Sequence, residues 1–216
     1  MSDAKPRIMV SGVLVCLLVG IVLLEYLGIN ATRYCGLLVV VAMLFEAIRA
    51  IVRSKSEALK NKTNCISLIL FIGLLVLCLF AVNRVGTRPW IMLLLLITIC
   101  GADIGAWFFG RLLGGDKMWE RISANKTWSG QIAGILCGTF MSVMYGLLGS
   151  DTFMPQLMWI GISVSLLSQY GDLTASWVKR KLGIKDFGNI LPGHGGVLDR
   201  FDGWIYVLPL IWLVML

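Results

Sequence analysis

Residues 89–111 read PWIMLLLLITICGADIGAWFFGR, and this stretch decides the fold class of the chain. Its apolar run has the length of about 20 residues that an α-helix needs to cross the hydrocarbon core of a bilayer. One carboxylate, Asp103, interrupts the run shortly before Arg111. A charged side chain within a membrane helix is costly and usually functional. The stretch therefore predicts a transmembrane helix that carries a functional acid.

The whole chain has the composition of an integral membrane protein. Of its 216 residues, 58% are hydrophobic, and the mean hydropathy is +0.85. We therefore predict an all-α fold, a polytopic membrane helix bundle that forms one domain over residues 1–216. The last apolar segment is shorter than a full crossing requires, so a complete crossing there is left open. The bundle would have about seven transmembrane segments: 8–28, 35–53, 65–83, 89–110, 130–149, 156–178 and 203–216.

The basic residues predict the orientation of these segments. With the N-terminus in the cytoplasm, only Arg33, Arg84 and Arg88 of the 19 Lys and Arg residues fall outside. Such a bias follows the positive-inside rule. It predicts a multi-pass protein of the cell membrane whose connections 54–64, 110–129 and 179–202 face the cytoplasm. The net charge of +7 is then explained by topology and by attraction to anionic lipid headgroups, and nucleic acid is not expected as a partner.

Cysteine and histidine usage excludes several kinds of site. The six cysteines all lie in or at the ends of apolar segments, and none forms a C-x-x-C pair. They are therefore expected to behave as small apolar residues rather than as a disulfide framework or a zinc site. The chain has one histidine, which excludes a histidine-based metal cluster.

Two of the three predicted cytoplasmic connections have the composition of a phosphate-binding site. The stretch 110–130 reads GRLLGGDKMWERISANKTWSG, and the stretch 171–203 reads GDLTASWVKRKLGIKDFGNILPGHGGVLDRFDG. Carboxylates can hold a divalent cation while Lys, Arg and glycine-rich backbone bind phosphate oxygens. The alternative is a pair of solvated loops that only set topology. That alternative explains the lysines but not the aspartates, the histidine or the glycines.

Helical spacing places two acids at a similar depth. Asp103 precedes Arg111, and Asp172 precedes Lys179, by about two helical turns, so each acid lies roughly 10–12 Å below the cytoplasmic helix end. This predicts a polar pocket that opens to the cytosol, with structural ion pairs as the alternative. Glu46 is different, because Arg49 follows it at i+3 and an internal ion pair is the favoured interpretation.

The segment from Ser176 to Asp202 reads S-x-x-K-R-x4-K-D-x-G-x-x-L-P-x-H-G-G-V-x-D-R-F-D. It closely resembles the signature of phosphatidate cytidylyltransferases, also called CDP-diacylglycerol synthases. The stretches 103–114 and 122–130 also resemble that family, although Ala124 stands where the family commonly has proline. The resemblance covers roughly 100–203, which we take as the catalytic portion, with its two cytoplasmic loops and their flanking helices.

The resemblance implies an enzyme that uses CTP and phosphatidate to make CDP-diacylglycerol and pyrophosphate for phospholipid biosynthesis, with Mg²⁺. It leaves open a second, monovalent cation and a homodimer, and it implies contact with membrane lipids. Asp172 and Asp199 would ligate the metal, with Asp103 as a ligand or close by. The other catalytic candidates are Lys179, Arg180 and His194. The substrate-binding candidates are Arg111, Ser123, Lys126, Thr127, Ser176, Lys185, Asp186, Gly195, Gly196, Arg200 and Asp202.

Two other functions fit parts of the pattern. A CTP-dependent transferase or kinase acting on another lipid would share the metal and nucleotide pocket. An ion-coupled transporter could use Asp103 and Asp172, but it would need polar residues facing both sides, and the predicted outside loops are short and nearly uncharged.

Overall fold

A computed structural model describes residues 20–21, 23–54, 62–149, 154–190 and 195–215 of the chain. The protein is an all-α membrane protein with one small antiparallel hairpin, which confirms the predicted fold class. The helices are α1 (Ala31–Arg53), α2 (Lys62–Val85), α3 (Pro89–Leu113), α4 (Trp128–Gly149), α5 (Met154–Leu182), α6 (Leu198–Phe201) and α7 (Trp204–Val214). The strands are β1 (Lys117–Trp119) and β2 (Ser123–Thr127).

Among the described residues, the helices α1 to α4 are long and apolar enough to cross a membrane. Helix α5 has 29 residues but is polar along much of its length, and α7 has only 11 residues. The predicted first segment, 8–28, lies largely outside the described residues. The number of seven crossings and the cytoplasmic N-terminus therefore stay predictions.

The chain divides into two compact units, and each is described by itself. One unit comprises Met1–Pro89 and Val178–Leu216, and we call it the terminal unit. The other comprises Trp90–Trp177, and we call it the central unit.

In the terminal unit, α2 packs against α1 and α7. Its core includes Met43 of α1, Leu75 of α2 and Ile205 of α7, none of which is more than 1% exposed. Pro209 lies within α7 and has no N–H to donate to the carbonyl oxygen one turn before it, at Ile205. The Cys78 thiol of α2 donates to that oxygen at 3.4 Å. A buried cysteine therefore compensates for a proline in an apolar helix, where an unpaired carbonyl would be costly.

In the central unit, α3 and α4 approach through glycines. Gly130, Gly134 and Gly138 recur every four residues along one face of α4. A Cβ atom on any of them would lie 2.7–3.0 Å from a backbone carbonyl oxygen of α3. Close backbone approach through small residues is typical of helix packing in membranes. Helix α5 joins α4 by polar contacts as well, since the buried Ser142 hydroxyl donates to the Leu157 carbonyl at 2.8 Å.

The connection predicted as a loop over 110–129 contains the hairpin of β1 and β2. Its strands pair antiparallel, with Lys117 opposite Thr127 and Trp119 opposite Ser123. The hairpin leads directly into α4, and the Trp128 amide donates to the Asp116 carbonyl at 3.1 Å. Lys126 and Thr127 therefore occupy defined positions at the start of a membrane helix.

Candidate active site

The central unit brings Lys126 and Asp172 together. The Lys126 ammonium nitrogen, on β2, lies 2.6 Å from the Asp172 carboxylate oxygen Oδ2, on α5. The two side chains are 26% and 40% exposed, but the Lys126 nitrogen itself is buried, so solvent reaches the Asp172 side chain more than the ammonium. Two residues far apart in sequence, both predicted to act on phosphates or metal, thus form one ion pair.

Two further predicted residues join this pair. The Ser176 hydroxyl donates to the other Asp172 oxygen at 3.3 Å, one helical turn along α5. Asp103 of α3 is exposed and lies within electrostatic range of both Asp172 and Lys126. We call Asp103, Lys126, Asp172 and Ser176 the Asp172 cluster. Its two acids and one lysine leave a net negative charge, which favours a cation.

Thr127 has a local role in this arrangement. Its hydroxyl oxygen accepts the Gly130 amide at 3.2 Å and so caps the N-terminus of α4. It also lies 3.1 Å from the Ser129 hydroxyl, which donates to the Gly114 carbonyl. Because Ser129 uses its single proton on Gly114, the Thr127 proton goes to Ser129. The Thr127 hydroxyl is therefore part of the local cap next to Lys126, and its predicted role in substrate binding stays a prediction.

The terminal unit holds a second charged group around Asp199. Asp199 Oδ1 accepts the Lys179 ammonium at 2.9 Å, and Oδ2 accepts the amides of Phe187 and Gly196, each at 2.9 Å. The Asp199 side chain is only 4% exposed. The Phe187 ring also lies 5.7 Å from the Lys179 nitrogen and stacks on Phe71 of α2. We call Lys179, Phe187, Gly196 and Asp199 the Asp199 cluster. Its carboxylate binds both arms of what we call the signature loop, which are the described residues 187–188 and 195–198.

Glu46 contributes to the same loop, and sequence reasoning missed this. The side chain is buried, and its two oxygens accept the amides of Val197 at 3.1 Å and Leu198 at 2.8 Å. Arg49 is exposed, so the predicted ion pair is wrong: the donors to Glu46 are backbone amides. Amides at a helix start have no intrahelical acceptor, and this carboxylate supplies one. Two features of the sequence could have indicated this contact: Glu46 is the one acid in the apolar segment 35–53, and the signature segment contains the glycines Gly188 and Gly196.

Other predicted residues lie around the loop. Gly195 has a backbone φ of +83°, a conformation that residues with a side chain rarely adopt, as expected for the predicted glycine turn. Lys185 and Asp186 are exposed, and so are Arg180 and Arg200.

The remaining predicted residues fall at element ends or beyond the description. Asp202 accepts the amide of Gly203 at 2.9 Å. The Arg111 guanidinium lies 5.9 Å from the centre of the Trp107 ring at the end of α3. Ser123 opens β2. His194 lies outside the described residues, as does Gly193.

The fit of the site to magnesium rests on the Asp172 cluster. Mg²⁺ is usually bound by one or two carboxylates together with substrate phosphate oxygens. Asp103 and Asp172 provide such a pair in one unit. Among the described residues, no group of three or more His, Cys, Asp or Glu side chains forms a potential metal site. Asp172 and Asp199 belong to different units, so their joint ligation of a metal stays a prediction.

Comparison with known families matches residues 2–216 to the Cytidylyltransferase family. The chain belongs to this family. It is 35% identical over 178 residues to the phosphatidate cytidylyltransferase of Staphylococcus saprophyticus, which is 82% of this chain and 68% of that protein. The enzyme of the same name from Staphylococcus haemolyticus gives the same identity and coverage, and that from Staphylococcus aureus strain COL gives 33% identity with the same coverage.

Membership in the cytidylyltransferase family confirms the resemblance found over residues 100–203. The match also extends it, because it begins at residue 2 and includes α1 and α2. The N-terminal helices are therefore part of the family fold. Glu46, which lies on α1, belongs to that matched region.

Proposed function

We propose that this protein transfers the cytidylyl group of CTP to phosphatidate and releases pyrophosphate, as an integral membrane nucleotidyltransferase. The observation that carries the proposal is the Lys126–Asp172 contact of 2.6 Å, with Asp103 within electrostatic range of both residues. It places one cation and two acids in one cluster of a membrane protein, and relatives that carry the name phosphatidate cytidylyltransferase support the choice of substrates.

The reaction joins two anions. A phosphate oxygen of phosphatidate attacks the α-phosphorus of CTP, the new P–O bond forms, and pyrophosphate leaves with the electron pair of the broken bond. Phosphatidate is already ionised, so the attack needs no strong general base. The main barrier is repulsion between polyanions, which is lowered by fixed positive charge at the site.

The Asp172 cluster has groups suited to this task. Asp103 and Asp172 would hold Mg²⁺, which when bound neutralises phosphate charge. The Lys126 ammonium donates charge-assisted hydrogen bonds to a phosphate oxygen of CTP. Ser176 and the cap at Thr127 orient Asp172 and Lys126 respectively.

The Asp199 cluster orders the signature loop in our proposal. Its carboxylate already accepts three donors from the protein, so ligation of magnesium by Asp199, which the sequence predicts, requires some of these contacts to be given up. Lys179, Arg180 and Arg200 supply positive charge around the loop. We also propose that the site faces the cytoplasm of the cell membrane, where CTP is available. A homodimer and a second cation stay predictions.

The test uses the purified protein in detergent with Mg²⁺, phosphatidate and CTP labelled with ³²P at either the α or the γ position. Cytidylyl transfer moves the α-label into lipid and leaves the γ-label in pyrophosphate. A CTP-dependent lipid kinase would instead move the γ-label. Polyprenol in place of phosphatidate serves as the control acceptor. Transfer of γ-label, or α-label transfer to another lipid alone, would contradict the proposal.

A further inference from the structure

The buried carboxylate of Glu46 binds the start of α6 from a distant helix. Glu46 is the only acidic residue of α1, and it is 2% exposed. Its oxygens accept the amides of Val197 and Leu198. Asp199 Oδ2 accepts the preceding amide, that of Gly196. Two carboxylates therefore accept hydrogen bonds from three consecutive backbone N–H groups, those of residues 196–198. Asp199 and Arg200 follow directly in the sequence.

Two glycines make room for the Glu46 carboxylate. A Cβ atom added to Gly188 would overlap Glu46 Oε1 and lie 2.8 Å from its carboxyl carbon. A Cβ atom on Gly196 would overlap the same carboxylate. Neither glycine has a positive φ, so the restriction comes from Glu46 and not from backbone conformation. Both arms of the signature loop thus close against one acid on α1.

The contacts of Glu46 and Asp199 alternate along the same two arms. On one arm, Phe187 donates to Asp199 while Gly188 lies against Glu46. On the other arm, Gly196 donates to Asp199 while Val197 donates to Glu46. Moving the Glu46 carboxylate would therefore displace the residues that hold Asp199 and, through it, Lys179.

We propose that Glu46 is a positioning residue for cytidylyl transfer, acting through the signature loop. The inference rests on the proposed function. Glu46 is not itself assigned to CTP or lipid; it holds the loop that carries the Gly195–Gly196 turn and leads into Asp199, and Asp199 in turn holds Lys179. A residue with only a structural role would change the amount of folded protein but not the activity of the folded fraction.

Glu46→Gln is the main test, because it keeps the shape of the side chain. A glutamine presents one oxygen and one NH₂ group to two N–H donors, so one hydrogen bond is lost and two donors face each other. We expect kcat of the monodisperse protein to fall about 10-fold or more, the factor associated with loss of a charge-assisted hydrogen bond. The KM for phosphatidate should change less than about twofold, because the proposed change is confined to the loop. The matched control is Arg49→Ala, an exposed position on the same helix.

A double-mutant cycle tests the contact directly. Gly188→Ala should lower kcat because the new methyl group displaces the Glu46 carboxylate, and Glu46→Ala should lower it by removing that carboxylate. The double variant should be no worse than Glu46→Ala, since the methyl group then fills vacated space. Additive losses would overturn the proposal, as would kcat of Glu46→Gln within about twofold of the unaltered protein.

Hydrogen exchange gives a readout independent of activity. In Glu46→Gln, the amides of Val197 and Leu198 should exchange about 10-fold faster or more, while those of the α3–α4 region should not change. Unchanged exchange at these amides would overturn the proposal even if activity fell. If the unaltered protein does not make CDP-diacylglycerol, the proposed function fails, and the exchange result still decides whether Glu46 holds the loop.

Discussion

Replacing Lys126 with alanine tests the Asp172 cluster most directly. The ammonium lies 2.6 Å from the Asp172 carboxylate. If it donates to a CTP phosphate, its loss removes one charge-assisted hydrogen bond, which costs about 1.5–3 kcal/mol, or roughly 10- to 150-fold in kcat/KM for CTP. The Asp172 side chain is 40% exposed, so water can solvate its carboxylate in the variant and the fold should be retained.

The same contact predicts a change in the magnesium dependence. Lys126 and a metal ion would compete for the Asp172 carboxylate, so Lys126→Ala should lower the magnesium concentration that gives half-maximal rate while it raises the KM for CTP. Initial rates of CDP-diacylglycerol formation, measured over a grid of CTP and magnesium concentrations, give both constants. Lys117→Ala is the matched control, an exposed lysine on the paired strand of the same hairpin. Normal CTP kinetics in Lys126→Ala would refute the assignment, and a higher magnesium requirement would refute the competition.

Three other substitutions test separate parts of the structure. Asp199→Asn should cut the activity of the folded protein at least about 10-fold and speed hydrogen exchange of the Phe187 amide, because an NH₂ group would face another donor. Unchanged activity together with an unchanged exchange rate would contradict the proposed role of Asp199 in the loop. Thr127→Val should lower the Tm in detergent by a few degrees, as loss of a helix cap costs about 1 kcal/mol, whereas Thr127→Ser should not. Gly134→Ala should reduce the monodisperse fraction in gel filtration, because its methyl group would meet a carbonyl of α3 at 2.8 Å; Gly73→Ala, with open space around it, is the control.

The membrane helices could be predicted closely because their signal is local. The predicted segment 65–83 corresponds to the helix Lys62–Val85, and 89–110 corresponds to Pro89–Leu113. The ends of each agree within three residues. Helix α5 is a different case. Its span 156–178 was predicted as an apolar segment, and the structure has a helix there, Met154–Leu182, that is not among the four described helices long and apolar enough to cross. Helix formation there is confirmed, and the crossing stays a prediction.

The Asp172 cluster could be predicted in part. Ser176 and Lys126 were predicted to bind substrate and Asp172 to bind metal, and the structure brings both side chains to Asp172. The hairpin was missed because its strands have three and five residues, too short for a periodic signal. Glu46 was misassigned because local rules consider partners one turn away, whereas its backbone partners lie 151 and 152 residues further along the chain.

Glu46, Asp199 and Asp172 differ in what they can still bind. Glu46 is buried, with each oxygen held by an amide. Asp199 is nearly buried and accepts three donors from both arms of one loop. Asp172 is 40% exposed, and its partners are two side chains, an ammonium and a hydroxyl, both of which can rotate away. Backbone donors cannot rotate in this way without moving the loop. Asp172 is therefore the acid best able to exchange its present partners for a metal ion, while Glu46 and Asp199 hold the surrounding backbone in place.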